Sequence, residues 1–250
     1  MTAAHCFDHT DANSLNIVMG TTDLSNQQEY HRQERFIEKY YTHPGYDELY
    51  HYYDVAVVLM DIEVSYDEKN PAITPVCLPT EPSTNVDNRR GQSVTLTGYG
   101  KTGPSSDNQQ LRFASLTIHS QAWCNYTYRG GYGSIPQLFQ SDILCAGFVV
   151  TGQSACSGDS GGPLVTFVGD PSDPYYVQVG VLSGSKTGGS CRSSGAFPDI
   201  FTRLDDKLVL DWIKDILAKV KNGIQKLLFV CALVNEFESN LSPYYLPWTN

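Results

Sequence analysis

Hydrophobic and polar positions along this chain sort into short runs. β-Branched and aromatic residues cluster at 15–19, 35–41, 55–60, 93–97, 111–118, 164–168, 175–182 and 200–204. Turn formers separate them, among them His43-Pro44-Gly45, Thr102-Gly103-Pro104-Ser105-Ser106 and Gly169-Asp170-Pro171-Ser172-Asp173-Pro174. Many short strands with this punctuation predict an all-β sandwich or barrel. One stretch breaks the pattern. From Asp205 onward Leu208, Trp212, Ile213, Ile216 and Leu217 recur at three- and four-residue spacing with Asp and Lys opposite, which predicts one amphipathic helix stopped at Asn222-Gly223.

A Pro-rich passage over 71–82 is extended and unsuited to a central strand, so it is predicted to link two strand-rich parts of similar size. No internal repeat or low-complexity tract is visible. Composition then narrows the class. The 250 residues are 41% hydrophobic and only 18% charged, which excludes the disordered class and predicts a sizeable core. With 27 acidic against 17 scattered basic residues, the net charge of −10 argues against a nucleic-acid partner. The longest apolar run, 227–234, falls well short of the roughly 20 residues that span a bilayer, so no membrane association is expected.

Seven cysteines stand at 6, 77, 124, 145, 156, 191 and 231, with no C-x-x-C pair. Disulfides are the default reading, and with them an oxidising, secreted or extracellular setting. The opening Met1-Thr2-Ala3-Ala4-His5-Cys6 has neither the basic stretch nor the apolar core of a signal peptide. The six histidines show no metal-ligand spacing, so neither metal nor cofactor is expected.

The most informative segment is Ala155-Cys156-Ser157-Gly158-Asp159-Ser160-Gly161-Gly162-Pro163-Leu164. Glycines on both sides of Ser160 let the backbone turn tightly, so the hydroxyl projects while neighbouring N–H groups converge on one point. Gly158-x-Ser160-x-Gly162 also satisfies the nucleophile elbow of α/β-hydrolases, whose histidine follows the serine. Here all six histidines, 5, 9, 31, 43, 51 and 119, precede Ser160, and that possibility fails. A serine hydroxyl needs an imidazole base and a carboxylate to hold the tautomer. Thr2-Ala3-Ala4-His5-Cys6 offers the base. Asp54, at the mouth of the apolar strand Val55-Ala56-Val57-Val58-Leu59-Met60, offers the acid, because a carboxylate there is costly unless it meets a partner.

In this order, His5, Asp54 and Ser160 resemble the triad of the chymotrypsin-fold, trypsin-like serine proteases. Further matches are His43-Pro44-Gly45-Tyr46, Thr97-Gly98-Tyr99-Gly100, Pro75-Val76-Cys77-Leu78-Pro79 and Asp211-Trp212-Ile213, so the resemblance spans 2–217. It implies an all-β fold of two antiparallel six-stranded barrels, the first incomplete, with a C-terminal α-helix. Residues 1–80 would form the first barrel and linker, 81–204 the second barrel and 205–220 the helix, leaving 221–250 as an unmatched tail. The implied function is a monomeric, secreted endopeptidase acting on proteins or peptides through an acyl-enzyme, open to protein protease inhibitors. His5 is then the base, Asp54 its orienter and Ser160 the nucleophile, with the amides of Gly158 and Ser160 as oxyanion hole.

The same resemblance pairs Cys124 with Cys145 and Cys156 with Cys191. Val94 and Thr166 replace another pair common in vertebrate members, which points towards the invertebrate digestive or collagenolytic branch. Ser154 falls at the floor of the primary pocket, Asp199 on its inner wall, and Ser183 and Ser185 beside the substrate strand. The neutral floor implies a chymotrypsin-like or broad preference. Asp159 is the expected partner of an ammonium released by zymogen cleavage. Ile17-Val18-Met19-Gly20 follows Asn16 and comes after His5, so it is a strand and not that new terminus. The chain is accordingly expected to lack the family's first strands, signal peptide and activation site, and to be poorly active by itself. Asn125-Tyr126-Thr127 and Asn240-Leu241-Ser242 fit glycosylation sequons. The rival expectation is a non-catalytic homologue that binds or regulates, against which stands the retention of all three triad residues.

Overall fold

The computed structural model describes residues 1–66, 72–103, 109–129, 140–147, 154–169, 175–185, 191 and 197–223. The tail with Cys231 and the Asn240 sequon lies outside them, as do the predicted turns at 104–106 and 170–174.

Three strands form the first sheet: β1 (Asn16–Met19), β2 (Gln33–Thr42) and β3 (Ala56–Met60), antiparallel in that order. The chain start adds to its edge. Thr2 donates to the Ala56 carbonyl at 2.9 Å and accepts from the Ala56 amide at 2.7 Å. This bridge lays the segment before His5 beside the strand that follows Asp54.

The second body is a closed barrel. Its strands are β4 (Ser93–Gly98), β5 (Arg112–Ile118), β6 (Ile143–Gly147), β7 (Pro163–Val168), β8 (Tyr175–Gly184) and β9 (Asp199–Arg203), closed in the order β4-β5-β6-β9-β8-β7. Inward positions such as Val94, Leu96, Leu116, Leu164, Val179 and Phe201 fill it. Closure leaves no unpaired strand edge among the described residues of this half. The predicted six-stranded barrel, the smaller first sheet and the C-terminal helix are all present.

Two elements escaped the sequence pattern. β6 is buried at all five positions, so both of its faces are covered and no alternation betrays it. Helix α1 (Gln121–Arg129) is short and carries Trp, Tyr and Thr; the Ser120 hydroxyl accepts from the Trp123 amide at 3.2 Å, an N-cap, and Cys124 ties it to β6 through Cys145. The Pro-rich passage is extended as expected, yet it docks on the second barrel. Cys77 donates to Tyr176 and accepts from Gln178, a parallel bridge to β8.

Helix α2 (Lys207–Gly223) starts at Asp206, whose carboxylate accepts from the Leu208 and Val209 amides. Its apolar stripe, Val209 and Ile213, packs with Ala3, Val55, Val181 and Leu204 in a cluster shared by the first sheet, β8 and the helix. Full burial of each such aliphatic chain contributes roughly 1.5–3 kcal/mol. Ala3 and Val55 lie two and one positions from His5 and Asp54, so this cluster fixes the backbone beneath both.

Candidate active site

His5 sits on a single 3-10 turn, Ala4–Phe7, with a half-buried ring; Asp54 is wholly buried at the start of the chain into β3. Two bonds join them. The His5 amide donates to Asp54 Oδ1 at 2.9 Å, and His5 Nδ1 lies 2.7 Å from Oδ2. A carboxylate only accepts, so Nδ1 carries the ring proton and Nε2 keeps its lone pair for a substrate-side proton.

A buried carboxylate needs more than one partner. Ser183, at the end of β8, donates its hydroxyl to Oδ2 at 2.6 Å, and Thr202 on β9 donates to the Asp54 carbonyl at 2.8 Å. His51 Nδ1 stands 3.5 Å from the same Oδ2. Burial pushes the Asp54 pKa up, but the bonds from His5, His51 and Ser183 outweigh it and hold the carboxyl well below the usual range. His51 is moved up in turn, first by its bond to Asp54.

Ser160 lies on the turn entering β7. Gly161, next to it, has φ +78° and donates to the Leu182 carbonyl at 2.8 Å; Leu182 donates back to Gly162 at 2.9 Å. A Cβ on Gly161 would come within 2.1 Å of Thr2 Oγ1 and 3.0 Å of the Ala3 amide. The serine turn is therefore seated directly against the segment leading to His5, and only glycine fits there. Ser160 is exposed, and its hydroxyl makes no hydrogen bond among the described residues. The amides of Gly158, at φ +97°, and Ser160 likewise have no acceptor among those residues, leaving two donors beside the hydroxyl.

Asp159 turns the other way. Its Oδ1 accepts from the Gly100 amide at 2.8 Å and its Oδ2 from the Cys156 amide at 2.9 Å. The carboxylate expected to meet an ammonium is thus bound by two backbone amides.

Asp199, Ser154 and Ser185 come together as one group. Ser154 Oγ donates to Asp199 Oδ1 at 2.7 Å, the Ala155 amide to Oδ2 at 3.0 Å, and the Ser154 and Ser185 hydroxyls are 3.3 Å apart. Asp199 is fully buried, and that burial raises its pKa. Ser183 points elsewhere: its side chain is buried on Asp54, leaving only backbone to face a substrate strand. The cysteines pair as the resemblance implied, Cys124–Cys145 and Cys156–Cys191, with Cα atoms 6.5 and 5.1 Å apart. Cys6 is the free thiol among the described residues, and Cys77 is disulfide-bonded, its partner lying outside them.

Two neighbours of Asp54 went unread in the sequence. Nothing about Ser183 marks it as a donor to a carboxylate 129 positions away. His51 is three positions before Asp54, a spacing that carries no signal outside a helix.

A closed six-stranded barrel, a companion sheet and a C-terminal helix are the architecture of the chymotrypsin fold. The chain belongs to the Trypsin family, whose profile matches residues 1–213. It is 32% identical over 224 residues to the clotting factor G beta subunit of Tachypleus tridentatus, covering 86% of this chain and 67% of that protein. It is 34% identical to CLIP domain-containing serine protease B10 of Anopheles gambiae, covering 71% of this chain and 43% of the relative. Against serine proteinase stubble of Drosophila melanogaster the identity is 32% over 73% of this chain and 22% of the relative. The chain thus spans between about a fifth and two thirds of the length of these relatives.

Proposed function

We propose that this protein is a serine endopeptidase that hydrolyses peptide bonds through an acyl-enzyme. The observation carrying this reading is the doubly bonded His5–Asp54 pair, its Nε2 without a hydrogen-bond partner among the described residues, beside the Ser160 turn. Ser160 Oγ attacks the scissile carbonyl and passes its proton to His5 Nε2; the C–N bond breaks as His5 returns that proton to the leaving amine. Water, deprotonated by the same nitrogen, then releases the acid and restores Ser160. The oxyanion formed in each step is received by the Gly158 and Ser160 amides. Asp54 stays ionised throughout and stabilises the imidazolium.

The primary pocket takes large apolar side chains or a broad set. Ser154 and the Ala155 amide occupy both oxygens of Asp199, so the carboxylate is engaged and not held ready for a substrate cation. Extracellular action fits the disulfides, and no helix among the described residues is long and apolar enough to cross a membrane. Relatives named for clotting and as CLIP-domain proteases favour a protein substrate.

A second reading, a non-catalytic binding homologue, draws on two observations: Asp159 is held by backbone amides, and the Ser160 hydroxyl makes no hydrogen bond among the described residues. Burst kinetics of the activated protein on a peptide ester separate the two. One equivalent of product released ahead of the steady state, lost in Ser160→Ala, supports the endopeptidase; a folded protein without burst or turnover supports the homologue.

A further inference from the structure

We propose that His5, His51 and Asp54 form a binding site for one divalent cation of the zinc type, whose occupancy blocks the hydrolytic centre. One ligand atom from each residue lies within 4.8 Å of the other two. Shifts of a few tenths of an ångström to about an ångström bring such a set to bonds of roughly 2.0–2.2 Å. Two imidazole nitrogens and one carboxylate oxygen, with a fourth position open to solvent, are the donor set of a tetrahedral zinc site that keeps a water. Calcium and magnesium, which require six or more oxygens, are poorly served by it.

The three ligands are held in place before any metal arrives. Asp54 is buried and aimed by the His5 amide and the Ser183 hydroxyl. His51 is presented by a tight loop in which its amide donates to the Asp47 carbonyl at 2.7 Å, Asp47 pairs with Tyr52, and the Asp47 carboxylate accepts from the Leu49 and Tyr50 amides. His51 and Tyr53 both have positive φ, 54° and 49°, an unfavourable backbone for such residues, and Tyr53 directly precedes Asp54. Strain kept next to a functional carboxylate is what a pre-formed ligand geometry requires. The His5 and His51 ring centroids are 5.3 Å apart and tilted by 47°, close enough for one ion to bridge the rings.

The consequence for chemistry does not depend on which nitrogen of His5 is taken. Ligation at Nε2 occupies the lone pair that accepts the serine proton. Ligation at Nδ1 moves the single ring proton from Nδ1 to Nε2 through solvent, so the lone pair that serves as base is lost again. The effect on hydrolysis rests on the endopeptidase reading above, whereas metal binding does not.

The test uses the intact chain with Zn²⁺ and Co²⁺ as probes. Calorimetry is expected to give one equivalent of Zn²⁺, and Co²⁺ the intense visible bands of a tetrahedral site. His51→Asn, which tolerates positive φ and is a poor ligand, is expected to weaken Zn²⁺ binding by roughly 100-fold or more. In the activated protein the ratio of ester hydrolysis with and without Zn²⁺ falls for wild type and returns towards one in His51→Asn. If that variant does not fold, imidazole NMR of wild type decides: His5 and His51 must both shift with one equivalent of Zn²⁺. Absence of stoichiometric binding, equal affinity in His51→Asn, or unshifted His5 and His51 resonances overturns the proposal. A protein that binds Co²⁺ as described yet hydrolyses nothing keeps the metal site and overturns the endopeptidase reading.

Discussion

The hydroxyl of Ser183 donates to Oδ2 of Asp54 across 2.6 Å, joining the end of a barrel strand to the carboxylate that orients His5. A bond to a buried anion is worth more than a neutral one, about 1.5–3 kcal/mol. It also holds Oδ2 where the imidazole needs it. Ser183→Ala should lower kcat by roughly 10-fold, since every 1.4 kcal/mol is a factor of ten, while raising KM little. Steady-state ester hydrolysis by the activated protein checks this.

Asp54→Asn keeps the size of the side chain but offers an amide to the imidazole, favouring the wrong tautomer. The loss known for this triad is about 10⁴-fold in kcat. Burst amplitude should fall with it, and a variant retaining more than a tenth of the wild-type rate would remove Asp54 from the mechanism.

Gly161→Ala tests how closely the Ser160 turn is seated on the segment before His5. The added methyl meets Thr2 Oγ1 and the Ala3 amide, and φ +78° is itself strained for alanine. A stability loss of about 1–3 kcal/mol is expected, together with a fall in kcat that exceeds the thermal effect. Urea midpoints and burst kinetics on the same preparation measure both.

Asp142 gives a pH dependence of stability. It is fully buried; its Oδ2 accepts from the Tyr53 amide at 2.6 Å, and its Oδ1 has no hydrogen-bond partner among the described residues. Burial raises its pKa from 3.8 to about 6. Below pH 4 folded and unfolded states are both protonated at this group. Between about 4 and 6 the unfolded chain releases the proton first, so the folded state loses stability as pH rises, by roughly 2–3 kcal/mol in all. Asp142→Asn should therefore be more stable at pH 7 by about that amount, with the gain vanishing near pH 4. Urea denaturation at the two pH values reads it directly.

Asp199→Asn tests the pocket. The amide oxygen can still accept from a neighbour, so the fold should hold, but the buried negative charge is gone. Because both Asp199 oxygens are already engaged by Ser154 and the Ala155 amide, acceptance of Arg or Lys relative to Phe should change by less than about 3-fold, read as the ratio of kcat/KM on matched peptide esters. A fall of about 10-fold or more would show that the carboxylate does reach a substrate cation and would overturn the apolar or broad preference.

Much of the fold was legible because half-buried strands alternate and the last helix carries a stripe. β6 and α1 were not. Five consecutive buried positions in β6 erase the alternation, and α1 owes its place to Ser120 and to Cys124–Cys145 more than to its own periodicity. The order His5, Asp54, Ser160 was readable from local context, because small residues before a histidine, a carboxylate at a strand mouth and glycines around a serine each have a local physical purpose.

The sequence alone determined which side chains make up the proposed site: a serine on a glycine-rich turn, a histidine, a carboxylate at a strand mouth and the cysteines that brace them. Tertiary structure decided what surrounds them. That Ser183 bonds to Asp54, that His51 reaches the same oxygen, that Asp159 rests on backbone amides and that Asp142 is buried with a lone oxygen all depend on which distant segments pack together. The reason is that burial and hydrogen bonding are properties of neighbours in space. Spacing along a chain encodes them only within one helix, strand or turn.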